Sequence, residues 1–182
     1  MATMENDIKE VLYSEEYLHS MVSRMAKEIS EDYKDKNLLL VGILKGSIVF
    51  MTDLMRELTV PCRIDFMQVS SYGSGTKSSG VVQIKKDLDR NLEGYDVLVV
   101  EDILDSGKTL HYLSDFLRGR NPASFEICTL FDKPDRREVP VYPKYKGCDI
   151  PDEFIVGYGL DYDELYRSLP YVGVLKPEVY TK

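Results

Sequence analysis

The chain has 182 residues, 43% of them hydrophobic, and a formal net charge of −8. That is apolar material enough for one domain with a buried core over residues 1–182. The negative balance argues against nonspecific nucleic-acid binding, which needs a basic face. Cys62, Cys128 and Cys148 are odd in number and lack C-x-x-C spacing. Neither a disulfide scaffold nor a zinc site is therefore expected, and a reducing, cytoplasmic setting fits. Residues 1–10 are acidic and lack an apolar core segment, so no signal peptide is expected. The apolar runs are too short to span a membrane.

Ser14-Glu15-Glu16 reads as a helix start, a capping hydroxyl followed by acids. Leu18, Met21, Val22, Met25 and Ile29 then recur at three and four, which predicts an amphipathic helix to about Asp32. Tyr17 is expected in core or interface packing, and His19 to face solvent. Residues 38–43 form a continuous apolar run, the pattern of a strand buried on both faces. Leu44-Lys45-Gly46-Ser47 follows, then an apolar helix from about Ile48 to Leu58. In an open α/β sheet ligands sit at the C-terminal ends of the strands, where Lys45 and Gly46 fall. Residues 63–71 read as another strand. The stretch 71–80, which begins Ser71-Tyr72, holds three glycines and four serines and cannot pack. It is expected to be a mobile loop before a strand resumes at 81–84.

The most informative stretch is 97–110. An apolar run, Val97 to Val100, predicts a buried strand; Glu101 and Asp102 close it, and Asp105 to Thr109 form a small-residue turn. Leu110, Leu113 and Leu117 at helical spacing mark the helix that follows. Free N–H groups and the positive end of the helix dipole make such a junction an anion site. Ser106, Gly107 and Thr109 suit a phosphate, since glycine permits close approach and hydroxyls donate. Gly107-Lys108-Thr109 also matches the end of a nucleotide-binding P-loop, but the position five residues earlier, where that motif has glycine, is Asp102. A carboxylate there would repel a polyphosphate. It suits instead a sugar diol or Mg²⁺.

Residues 126–131 predict a further strand, which places Lys133 at the same sheet edge. His111 reads as a surface residue, and 136–151, with three prolines, as irregular. The run Phe154-Ile155-Val156-Gly157-Tyr158-Gly159-Leu160-Asp161 leads from a strand through glycines to an acid, with Arg167 six residues on. Residues 171–175 are expected to complete the sheet.

Residues 98–110 resemble the phosphoribosyl-pyrophosphate (PRPP) motif of type I phosphoribosyltransferases. Taken in order, Leu44-Lys45-Gly46, Ser71-Tyr72 with its loop, the central motif, Asp132-Lys133-Pro134 and the 154–162 run resemble the hypoxanthine-guanine phosphoribosyltransferase family over nearly the whole chain. The resemblance implies an α/β fold: a mainly parallel central sheet flanked by helices, a lid hairpin at about 71–80 and a small C-terminal hood at about 132–170. It implies transfer of a phosphoribosyl group from PRPP to N9 of hypoxanthine or guanine, giving IMP or GMP plus pyrophosphate. Asp105 would be the general base. Asp105, Ser106, Gly107, Lys108 and Thr109 would bind the 5′-phosphate. Glu101 and Asp102 would take the ribose hydroxyls and a Mg²⁺ shell, with Asp161 beside the base serving a second Mg²⁺. Lys45, Gly46 and Arg167 would hold pyrophosphate, the first two in a loop often built on a non-proline cis peptide. Lys133 would meet the purine O6, Phe154 would stack on the base, and the Ile155 backbone would face position 2. Ser71 and Tyr72 would open the lid. The family also implies a homodimer or homotetramer; the charge and the short apolar runs lead us to expect no nucleic-acid or membrane partner. A xanthine or other purine phosphoribosyltransferase and an RNA-binding regulator on the same fold are the rival expectations.

Overall fold

Two strands, β2 (Leu38–Leu44) and β5 (Asp96–Leu104), are apolar on both faces, and they lie side by side at the centre of the molecule. The computed structural model describes residues 4–71 and 82–181. Parallel strands β3 (Cys62–Ser71), β6 (Ser124–Asp132) and β7 (Tyr145–Asp149) and the antiparallel edge strand β4 (Val82–Lys86) complete a six-stranded sheet in the order β4-β3-β2-β5-β6-β7. Strand alternation sorts its core into two layers. Leu38, Leu40, Leu98 and Val100 pack with helices α1 (Glu15–Asp32) and α2 (Ile48–Glu57). Leu39, Val41, Val97 and Val99 pack with α3 (Lys108–Arg118) through Leu110, Leu113 and Leu117. Helix α1 starts as its sequence predicts: the Ser14 hydroxyl accepts from the Tyr17 N–H at 3.2 Å, and Leu18, Met21, Val22, Met25 and Ile29 form its buried stripe.

A second sheet of three antiparallel strands, β1 (Ile8–Tyr13), β9 (Val172–Leu175) and β8 (Ile155–Val156), sits over the C-terminal ends of the central strands. The helix α4 (Pro177–Tyr180) follows β9. The segment expected to complete the central sheet thus pairs instead with the N-terminal strand, Tyr13 against Val172 and Ile155 against Val174. β1 gives no sequence signal because three of its six residues face solvent in a row. The 136–151 segment, expected to be irregular, contains β7. It is an edge strand whose sequence, Tyr-Lys-Gly-Cys-Asp, carries no apolar alternation. Tyr17, expected in core or interface packing, is outside the core: it is 49% exposed and stacks on Tyr13, with ring centroids 5.4 Å apart. His19 and His111 are exposed, as read from the sequence. All three cysteines are free thiols.

β3 and β4 pair up to Ser71 and Val82, so the two ends of the expected lid are neighbours. Tyr72 and the rest of that loop lie outside the described residues, as does the side chain of Ser71. Among the described residues no helix is long and apolar enough to cross a membrane.

Candidate active site

Because β2, β5 and β6 run parallel, the loops after them emerge at one edge. After β2 the Leu44–Lys45 peptide is cis, and Gly46 lies directly against Asp102: a Cβ at position 46 would overlap that carboxylate. After β5, Gly107 takes a φ of 85°, a region only glycine enters freely, and becomes the cap residue of α3. It offers no side chain to the first N–H groups of the helix, and the Lys108 N–H makes only a long bond to the Ser106 hydroxyl at 3.5 Å. After β6, the Lys133 N–H donates to the Leu104 carbonyl at 2.9 Å, which joins the second and third loops.

The central carboxylates differ in setting. Burial pushes the Glu101 carboxyl well above the usual range, and the neighbouring Asp102 charge adds to it. Burial also raises Asp102, against the lowering effect of its hydrogen bonds and of Arg167. Two adjacent carboxylates that resist joint ionisation form a place for a hydroxyl pair or a hard cation. Asp105, past the end of the strand, is open to the cleft. Arg136 Nε lies 3.2 Å from its Oδ1 but is not aligned to donate, and that oxygen accepts no hydrogen bond from any described residue. Arg136 also donates to Asp152 at 3.0 Å. Arg137, paired with the buried Asp132, donates to the Asp105 carbonyl at 2.6 Å and so fixes the turn. Lys108 is turned away, with its ammonium 2.5 Å from Glu138, so only its backbone faces the turn.

On the other side of Asp102 the chain gathers a second group. Arg167 donates to the Gly159 carbonyl at 2.7 Å and lies 2.9 Å from Asp161. Gly159, with a φ of 99°, packs so closely on Gly46 that a Cβ there would strike the Gly46 carbonyl. The glycines therefore bring Lys45, Gly46, Asp161 and Arg167 to one place. Glu164, not singled out from the sequence, sits among them, 2.7 Å from Lys45.

A cleft of about 520 Å³ opens between these groups and the small sheet, lined among others by Asp102, Asp105, Lys133, Phe154, Ile155 and Asp161. Lys133 is only 8% exposed; its ammonium donates to the Glu153 carbonyl at 2.8 Å and lies 3.6 Å from Asp152. Phe154 is 39% exposed, and one ring face is covered by Tyr180 of α4, centroids 4.7 Å apart and nearly parallel. Tyr162 meets the Phe154 ring edge-on at 5.6 Å. Lys45, Gly46 and Arg167 stand outside this cleft. A larger cavity of about 720 Å³ also touches Arg167, lined by four carboxylates, from Glu15, Glu16, Asp53 and Glu57, against Arg56 and His19. Among the described residues no three His, Cys, Asp or Glu side chains converge as one metal cage.

The family model for the phosphoribosyl transferase domain matches residues 12–163. The chain belongs to the phosphoribosyltransferase family. Curated relatives named hypoxanthine-guanine phosphoribosyltransferase include one from Staphylococcus epidermidis, 54% identical over 98% of this chain and 100% of its own length. One from Staphylococcus aureus is 53% identical over 98% of this chain and 99% of its own length. A solved hypoxanthine phosphoribosyltransferase from Staphylococcus aureus superimposes with a TM-score of 0.96 at 52% identity, covering 100% of this chain and 98% of that one. A hypoxanthine-guanine phosphoribosyltransferase from Bacillus anthracis, solved with a buffer molecule in its active site, gives 0.89 at 46% identity, covering 93% and 99%. The expected phosphoribosyltransferase fold is borne out.

Sequence reasoning missed Arg136, Asp152, Glu164 and Tyr180. Arg136 and Asp152 are charged surface residues by pattern, and only the fold brings them to Asp105 and Lys133. Tyr180 sits far along the chain from Phe154, and no local spacing links the two.

Proposed function

We propose that this chain is a purine-salvage enzyme that moves the 5-phosphoribosyl group of PRPP to N9 of hypoxanthine or guanine, giving IMP or GMP and pyrophosphate. The observation that carries this reading is the single cleft that holds Asp105, Lys133 and Phe154, beside a helix N-terminus whose cap residue is a glycine. The turn from Asp105 to Thr109 binds the 5′-phosphate through backbone N–H groups and hydroxyls. The purine lies on the free face of Phe154. Lys133 donates to its O6, which admits 6-oxopurines and rejects adenine, whose amino group is no acceptor. The Ile155 backbone faces position 2.

As purine N9 bonds to ribose C1′, the bond from C1′ to the pyrophosphate oxygen breaks, and the proton on N7 passes to the Asp105 carboxylate. Arg136 must withdraw from Asp105 for this, and Asp152 already holds its other end. Lys45 and Arg167 neutralise the departing oxygens, and Arg suits this through its fork of donors. Glu101 and Asp102 fit a Mg²⁺ shell: two crowded oxygen donors with raised pKa values are what a hard cation relieves. Asp161 is the position for a second ion. Mg²⁺ bound there supplies positive charge to the pyrophosphate. The enzyme works in the cytoplasm as a homodimer or homotetramer.

Incubation with PRPP, Mg²⁺ and each of hypoxanthine, guanine, xanthine and adenine tests this, with nucleotides separated by chromatography. IMP and GMP with little XMP or AMP are expected. XMP in excess would overturn the base assignment, and no nucleotide from any base would overturn the reaction.

A further inference from the structure

Lys45 and Arg167 come to the leaving-group side from distant parts of the chain, and both already hold a carboxylate. Glu164 Oε2 lies 2.7 Å from Lys45 Nζ and 3.5 Å from Arg167 Nη2. The Glu164 N–H donates to Asp161 Oδ2 at 2.9 Å, and the other Asp161 oxygen is 2.9 Å from Arg167. Two cations and two carboxylates thus close a ring on themselves. The backbone is shaped to hold it: Asp163 and Glu164 take φ values of 50° and 64°, which L residues rarely adopt.

We infer that Glu164 stands in for the departing pyrophosphate: its carboxylate occupies Lys45 and Arg167 in the empty site, and a pyrophosphate group binds there only by displacing it. This rests on the reading of Lys45 and Arg167 as the leaving-group cations. The Glu164 carboxylate is largely exposed, so its pairs are weak and displacement is easy. The same carboxylate subtracts from pyrophosphate affinity and helps to expel the product by reclaiming the cations. Glu164 is a positioning residue in this sense: it sets how tightly the site holds pyrophosphate and does not touch the purine.

The test is calorimetric titration of magnesium pyrophosphate into the full chain, as wild type, Glu164→Gln and Glu164→Asn. The first variant keeps the side chain's length without its charge; the second suits a positive φ. Both are expected to bind pyrophosphate about three- to tenfold more tightly, the scale of removing a competing exposed charge from two partners. Pyrophosphate should inhibit turnover more strongly by the same factor, while the KM for hypoxanthine stays unchanged. At about 1 M salt, where charges are screened beyond roughly 3 Å, the difference should shrink. If wild type binds pyrophosphate and both variants bind it equally or more weakly, Glu164 is no stand-in and the leaving-group reading stands. If none of the three proteins binds it, that reading of Lys45 and Arg167 falls, and the inference with it.

Discussion

The cradle after β5 and the purine side of the cleft are built in opposite ways. The cradle is contiguous: Glu101, Asp102, Asp105 and the turn to Thr109 come from one strand, one turn and the first turn of one helix. Its ligand-facing groups lie within nine residues of one another, and distant residues such as Arg137 only brace the turn from outside. The purine side is dispersed. Lys133 comes from the end of β6, Phe154 from the edge of the small sheet, and Tyr180 from the last helix. Its geometry depends on side-chain packing between segments that meet only in the folded chain. Substitutions in the cradle should therefore strike the chemical step, and those on the purine side should strike base affinity and choice.

The sharpest break in that contrast is at Asp105. Asp105→Asn should lower kcat by about 10²-fold or more by removing the proton acceptor, while PRPP still binds. Stopped turnover and equilibrium PRPP binding measured together check it, and unchanged turnover would reassign the base. Next comes Tyr180. Tyr180→Ala removes the ring behind Phe154, an aromatic pair worth about 0.5–1.5 kcal/mol, and should raise the KM for hypoxanthine about two- to tenfold. PRPP affinity should hold, and Tyr180→Phe should restore the wild-type value. A drop in PRPP affinity of equal size would mean that Tyr180 serves the fold as a whole.

The smallest effect is on stability and belongs to the cradle. Burial and the Asp102 charge hold the Glu101 carboxyl well above the usual range. In the unfolded chain it ionises at about pH 4.3. A raised folded-state pKa gives stability that is complete below that pH and is lost as pH rises through the folded value. Glu101→Gln in the metal-free chain should thus raise the thermal midpoint, and the gain should grow from pH 5 to pH 8. Melting curves across that range decide it. A gain independent of pH would place the cost elsewhere than in the ionised pair.

What could be read from the sequence follows the same division. The cradle was legible because its residues are neighbours in the chain: an apolar run, two acids and a small-residue turn define the junction without any long-range contact. β2 and α1 were legible because strand and helix periodicities are local. β1 and β7 were not, since edge strands need little apolar alternation, and the partner of β1 lies at the other end of the chain. The same reason hid Tyr180 and Arg136, whose roles come from contacts to Phe154 and Asp105. Glu164 was passed over because a glutamate in an acidic turn reads as solvated surface. Only the approach of Lys45 from the β2 loop gives it a place in the site.

The most direct test of a cradle that holds the phosphoribosyl group and a hood that reads the base is Lys133→Ala. It should be assayed with hypoxanthine and guanine beside a PRPP-binding measurement. Loss of a buried charged donor to O6 should lower kcat/KM for both bases by about 10- to 100-fold and relax the bias against adenine, with PRPP affinity unchanged. Unaltered kinetics with both 6-oxopurines, or an equal loss of PRPP binding, would contradict the division.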